Sequence, residues 1–223
     1  APRLLTTSNL AKIRAVAARL ALCRGDIDEP WLIALLPEAA LQGLAGILGA
    51  RLERGLEHLE VWVYNFEHEL AKISELLKTY TYVAMDTEFP GFLESEFELA
   101  QKTSDVIAIK NSVDKLKIIQ LGITLSDENG KLPTPVSTWQ FNFDWDIDTE
   151  RKAEVSIIKL KECGLDFTSF KHHGMNPQYF AEKAMASGLV LNDRLTWICF
   201  HGNQDFGFLM KIFMNENLPP TRQ

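Results

Sequence analysis

From Asn65 to Tyr80 apolar residues return every three or four positions, at Phe66, Leu70, Ile73 and Leu77, and this spacing predicts an amphipathic helix. Short runs rich in β-branched and aromatic residues follow at Tyr82–Asp86, Leu116–Thr124, Thr138–Phe143 and Leu195–Phe200, and these read as strands. Asp127-Glu128-Asn129-Gly130 is a strong turn signal, so the second and third runs form a hairpin-like pair. Helical patterns occupy roughly 150–163, 177–187 and 206–215. Three strands in succession, then helix, strand and helix, predict a mixed α/β sheet.

The chain before this point has another character. Leu10, Ile13, Ala17 and Leu20 recur at helical spacing, and Asp28-Glu29-Pro30 and Pro37-Glu38 are plausible openings for two more helices. In the last of these Leu41, Leu44, Leu48, Leu52, Leu56 and Leu59 mark one face. A leucine stripe of this kind serves as core or as a docking face, and it carries no catalytic constellation. Composition changes at the same place. All 13 phenylalanines lie at position 66 or later, whereas residues 1–60 hold 14 Leu, 11 Ala and six of the arginines but one lysine. We therefore expect a helical extension over residues 1–60, of unassigned role, followed by a second unit over 61–223.

With 223 residues, 46% of them hydrophobic, the chain is long enough to bury one full core. No apolar run approaches the roughly 20 residues of a bilayer span, and the opening residues lack the layout of a secretory signal, so neither a membrane nor export is expected. Cys23, Cys163 and Cys199 lie far apart and outside metal-binding spacing, which fits a reducing intracellular compartment. The net charge of −7 argues against nucleic-acid binding through a broad basic face. It does not exclude phosphate chemistry, because carboxylate-held cations can supply the positive field themselves. Residues 1–60 carry seven basic and seven acidic side chains, so the acidity belongs to the later unit.

Two stretches carry candidate chemistry. In Tyr82-Val83-Ala84-Met85-Asp86-Thr87-Glu88-Phe89-Pro90-Gly91, residues two apart on a strand share a face, so Asp86 and Glu88 set two carboxylates side by side. A hard divalent cation, magnesium or manganese, relieves that repulsion most simply. The plainer alternative is a polar strand end before the Pro90-Gly91 turn. The second stretch, Leu195 to Leu209, runs from a buried strand through a glycine-containing turn to Asp205 at the start of a helix. Asp205 is open to two readings there, a helix cap or a carboxylate brought to the end of a strand, where ligands gather in α/β sheets.

Taken together, MDTEFPG, LKIIQLGIT, STWQFNF and FHGNQDFGFLMKI, in that order, closely resemble the Caf-type (Pop-like) deadenylases of the Ccr–Not complex, from about Val61 to Pro219. The resemblance implies an RNase H-like mixed sheet flanked by helices, of the DEDD exonuclease superfamily, that removes nucleotides from the 3′ end of poly(A) tails. It implies that Asp86, Glu88 and Asp205 are catalytic metal ligands for two divalent ions, Mg2+ or Mn2+, with Asp86 shared between them. By the same resemblance the partners are poly(A) RNA, a large helical Ccr–Not scaffold subunit and a second deadenylase, the setting is cytoplasm and nucleus, and no small-molecule cofactor is called for.

This chain also departs from the family pattern. Gly202, Asn203 and Gln204 stand where relatives carry serine, glycine and tyrosine. The family continues for several tens of residues beyond the position of Pro219, through a third motif with a histidine general base and a fourth aspartate, so the domain is expected to be incomplete at its C-terminal side. A catalytically inactive docking module is therefore the competing reading. Among other residues, His172-His173 reads as solvated loop, His201 as a packing or hydrogen-bonding residue, and Trp139, Phe141 and Phe143 as core. Phe89, beside the proposed metals, is the candidate base contact.

Overall fold

A computed structural model describes residues 58–92, 105–199 and 202–219. Residues 1–57 of the helical extension expected over 1–60, together with Phe200 and His201, lie outside the described residues. Within them the order is β1 (His58–Val61), α1 (Phe66–Leu76), β2 (Tyr82–Glu88), α2 (Asp105–Lys115), β3 (Gln120–Ser126), β4 (Thr138–Asn142), α3 (Glu154–Glu162), α4 (Phe167–His173), α5 (Pro177–Ser187), β5 (Thr196–Ile198) and α6 (Asn203–Met214). None of these helices is long and apolar enough to cross a membrane.

The strands form one mixed sheet in the order β1-β4-β3-β2-β5. β3 runs antiparallel to both β2 and β4, while β1 pairs with β4, and β5 with β2, in parallel. The expected hairpin is the β3–β4 pair. Its connection turns at Asp127, whose Oδ1 accepts the amides of Asn129 at 2.8 Å and Lys131 at 2.9 Å, with Gly130 supplying a positive φ of 78°.

Strand alternation divides the sheet into two unlike faces. One face presents Val61, Val83, Met85, Leu121, Ile123, Leu125, Trp139 and Phe141, and packs against α1, α5 and α6 in the main core. Phe180 of α5 meets the rings of Phe66, Phe141 and Phe143 at 5.1–5.7 Å. As expected, Trp139, Phe141 and Phe143 are core residues, none more than 1% exposed. The opposite face is polar apart from a small apolar cluster of Tyr82, Ala84 and Ile198. There the registers align Glu60 with Gln140, and Glu88 with Gln120 and Asn142. A chain of hydrogen bonds crosses three strands, from Gln140 Nε2 to Gln120 Oε1 (3.2 Å), Gln120 Nε2 to Asn142 Oδ1 (2.7 Å) and Asn142 Nδ2 to Glu60 Oε2 (2.6 Å).

Three elements depart from the pattern read in the sequence. β1 begins at His58, so residues 58–60, grouped above with the extension, pair with β4. α2 was not expected at all. His172 and His173 are solvent-exposed, as expected, but they close the last turn of α4 and not a loop. α4 starts at Asp166, whose side chain accepts the amide of Thr168, and it buries Phe167 and Phe170 against Ile119, Trp145, Ile157 and Leu160 in a second, smaller core.

Candidate functional site

β2 lies between β3 and β5, but its two neighbours differ in length. β3 accompanies all of Tyr82–Glu88, whereas β5 pairs with Tyr82, Val83 and Ala84 only. Past Ala84 the strand keeps a ladder partner on one side among the described residues, and Asp86, Thr87 and Glu88 fall in that stretch. Asp86 and Glu88 are half-buried on the polar face, and Thr87 is buried toward the core.

Asp205 reaches this open edge from α6. Of the two readings of Asp205, the helix cap does not hold, because Gly202 occupies the cap position and Asp205 sits in the first turn. A methyl at Gly202 would collide with the Cys199 side chain, so this position needs glycine. The Asp205 side chain is directed to β2: its Oδ1 accepts the Thr87 N–H at 2.9 Å and the Thr87 hydroxyl at 2.8 Å, and the residue is 6% exposed. The same N–H lies 3.0 Å from Asp86 Oδ1. Carboxylates from two motifs 119 positions apart in the chain therefore meet at one amide hydrogen. The N-terminal end of α6 favours negative charge there.

Glu88 continues the row on the polar face and opens onto a cleft of about 610 Å³, whose walls include Phe89, Phe92, Gln120, Gln140 and Lys159. Phe89 is half-buried; its ring lies against Phe208 at 5.1 Å and meets Phe92 edge-on at 5.6 Å. Gln204, one of the departures from the family pattern, has a buried Oε1 with no hydrogen-bond partner among the described residues.

The donors suit a hard divalent cation in kind: three carboxylates, two on one strand end and one held against it. In arrangement they stop short of a closed shell. Among the described residues no three His, Cys, Asp or Glu side chains stand together as a group that could hold a metal ion. Asp86 and Asp205 come together, while Glu88 stands further along the same face. Sequence reasoning did not single out Thr87, although the signal was available: a β-branched residue with a hydroxyl, fixed by alternation between two carboxylates.

The chain is similar to several known proteins. Residues 61–192 match the CAF1 family ribonuclease domain. A probable CCR4-associated factor 1 homologue of Arabidopsis thaliana is 42% identical over 167 residues, covering 72% of this chain and 60% of that protein. The poly(A) ribonuclease pop2 of Schizosaccharomyces pombe is 40% identical over 162 residues, covering 72% of this chain and 48% of the relative. The chain thus spans about half to three-fifths of these relatives' lengths. Among solved structures, S. pombe Pop2p in its Mg2+- and Mn2+-bound form superposes with a TM-score of 0.68 at 37% identity, covering 74% of this chain and 66% of the other. A yeast CAF1 co-crystallised with the NOT1 MIF4G domain gives 0.63 at 35%, covering 75% and 62%.

Proposed function

This chain belongs to the CAF1 ribonuclease family, and on that footing we propose that it acts as a metal-dependent 3′–5′ exoribonuclease that shortens poly(A) tails. The observation that carries the proposal is the meeting of Asp86 and Asp205 at the Thr87 amide, since it joins the family's first two acidic motifs at one strand end. Asp86, Glu88 and Asp205 would hold Mg2+ or Mn2+, the ions named for the S. pombe relative. When bound, such ions activate water and neutralise charge on the attacked phosphate and the leaving oxygen. Before any ion arrives, Thr87 holds Asp205, the strand holds Asp86 and Glu88 on one face, and Phe89 lines the cleft where the terminal nucleotide would lie. Poly(A) as substrate is carried over from the family.

On the same footing we assign the chain from His58 onward, where β1 joins the sheet, to the nuclease unit and propose the cytoplasm and nucleus as its setting. A NOT1-type scaffold and a second deadenylase are its proposed partners. One observation favours a second reading, a docking module without activity: a similar solved structure holds CAF1 together with the NOT1 MIF4G domain.

Incubating the full chain with 3′-adenylated RNA and Mg2+ or Mn2+, beside Asp86→Ala, separates the two. Shortening by the native chain that the variant loses supports the enzyme. Failure of both, with circular dichroism showing folded protein, favours the docking module.

A further inference from the structure

We propose that Thr87 is a positioning residue that holds Asp205 for divalent metal, an inference resting on the metal-site reading above. Thr87 is 4% exposed and makes two of its hydrogen bonds to a single oxygen, donating both its N–H and its Oγ1–H to Asp205 Oδ1. Two donors on one oxygen fix the carboxylate against rotation. The amide also reaches Asp86 Oδ1, so one residue sets the separation of two ligands that come from different elements. The side chain suits both tasks: its branched carbon fits a strand, and its hydroxyl is the only side-chain donor in the Asp86–Glu88 triplet. Groups that orient a metal's ligands from behind contribute to affinity without touching the ion.

A purely structural role, satisfying a buried carboxylate, would move stability and leave metal affinity alone. The test is therefore calorimetric titration of the full chain with Mn2+, with the thermal midpoint of each variant recorded. Wild type should bind at a site that Asp86→Ala abolishes. Thr87→Val, which keeps the shape and loses the hydroxyl, should weaken Mn2+ about 10-fold, and Thr87→Ser should stay within about twofold of wild type. Should Thr87→Val fail to fold, Thr87→Ala, which leaves room for a water, takes its place with the same expectation. Wild-type affinity in the hydroxyl-less variant overturns the positioning role and leaves the metal site standing. A wild-type chain that binds no Mn2+, or binds it regardless of Asp86→Ala, overturns the metal-site reading and this role with it.

Discussion

The indole N–H of Trp139 donates to Glu69 Oε2 at 3.1 Å, and the two residues are 1% and 3% exposed. A carboxylate of α1 is thereby buried against β4, its other oxygen taken by Lys72 at 2.8 Å and His68 at 3.0 Å. Burying such a group is costly unless each oxygen is satisfied. Trp139→Phe keeps most of the aromatic packing but leaves Oε2 without its donor, and should destabilise the fold by about 1–3 kcal/mol in urea denaturation.

The same carboxylate gives stability an acid limb. Burial pushes Glu69 up, but hydrogen bonds from Lys72 and Trp139, the Lys72 charge and the contact with His68 outweigh it and hold the group below its ordinary 4.5. The folded chain then takes up this proton less readily than the unfolded chain, so the stabilisation is present above 4.5 and is lost as pH falls through the lower folded value. Thermal midpoints measured across acid pH should fall less steeply for Glu69→Gln. Asp146 and Asp166, held low by Lys171 and Ser169, keep part of the slope.

Gly91 closes the turn after β2 with a φ of 79°, and a methyl there would run into Ser156 Oγ. Pro90 meanwhile accepts the amide of Ala153, fastening this turn to the start of α3. Gly91→Ala should cost about 1–3 kcal/mol through the left-handed backbone alone, with the side-chain clash added to it. Adding Ser156→Gly should recover only the clash, and denaturant midpoints of the single and double variants measure both parts.

Lys211 of α6 donates to the carbonyls of Val113, Asp114 and Leu116 at 2.7, 2.9 and 3.0 Å, using all three ammonium hydrogens at the end of α2. Lys211→Met should lower stability by about 1.5–3 kcal/mol. Hydrogen exchange should rise in α2 more than in α1, which Lys211 does not touch.

If the proposed activity holds, EDTA should stop shortening of 3′-adenylated RNA, and excess Mn2+ should restore it. Restoration by neither Mn2+ nor Mg2+ would count against the metal-dependent reading.

The strongest sequence periodicities survived into the structure. The stripe Phe66, Leu70, Ile73, Leu77 is the buried face of α1 and its continuation, and α5 spans Pro177–Ser187 as expected, opened by a proline and closed by Gly188. The second strand was read from Leu116 but begins at Gln120, because Leu116 and Ile118 are buried at the exit of α2 and only their apolar character was visible. α2 itself escaped because DVIAIKNSVDK mixes β-branched and polar residues without a clean stripe. β1 was hidden inside a leucine pattern, since four residues cannot show a period of two against a longer helical one. Asp86 and Glu88 followed from alternation. That Asp205 turns from its own helix to Thr87 did not, because the contact depends on where β5 stops.

The brevity of β5 has one more consequence. Among the described residues the Thr87 amide has no ladder partner on this side, and carboxylate oxygens of Asp205 and Asp86 accept it instead. Any acceptor of the right length could take that hydrogen, whereas holding a cation needs negative charge. Asp205→Asn should therefore leave the architecture intact and remove the chemistry, so at this one position the demands of folding and of function can be separated by exchanging an oxygen for an amide nitrogen.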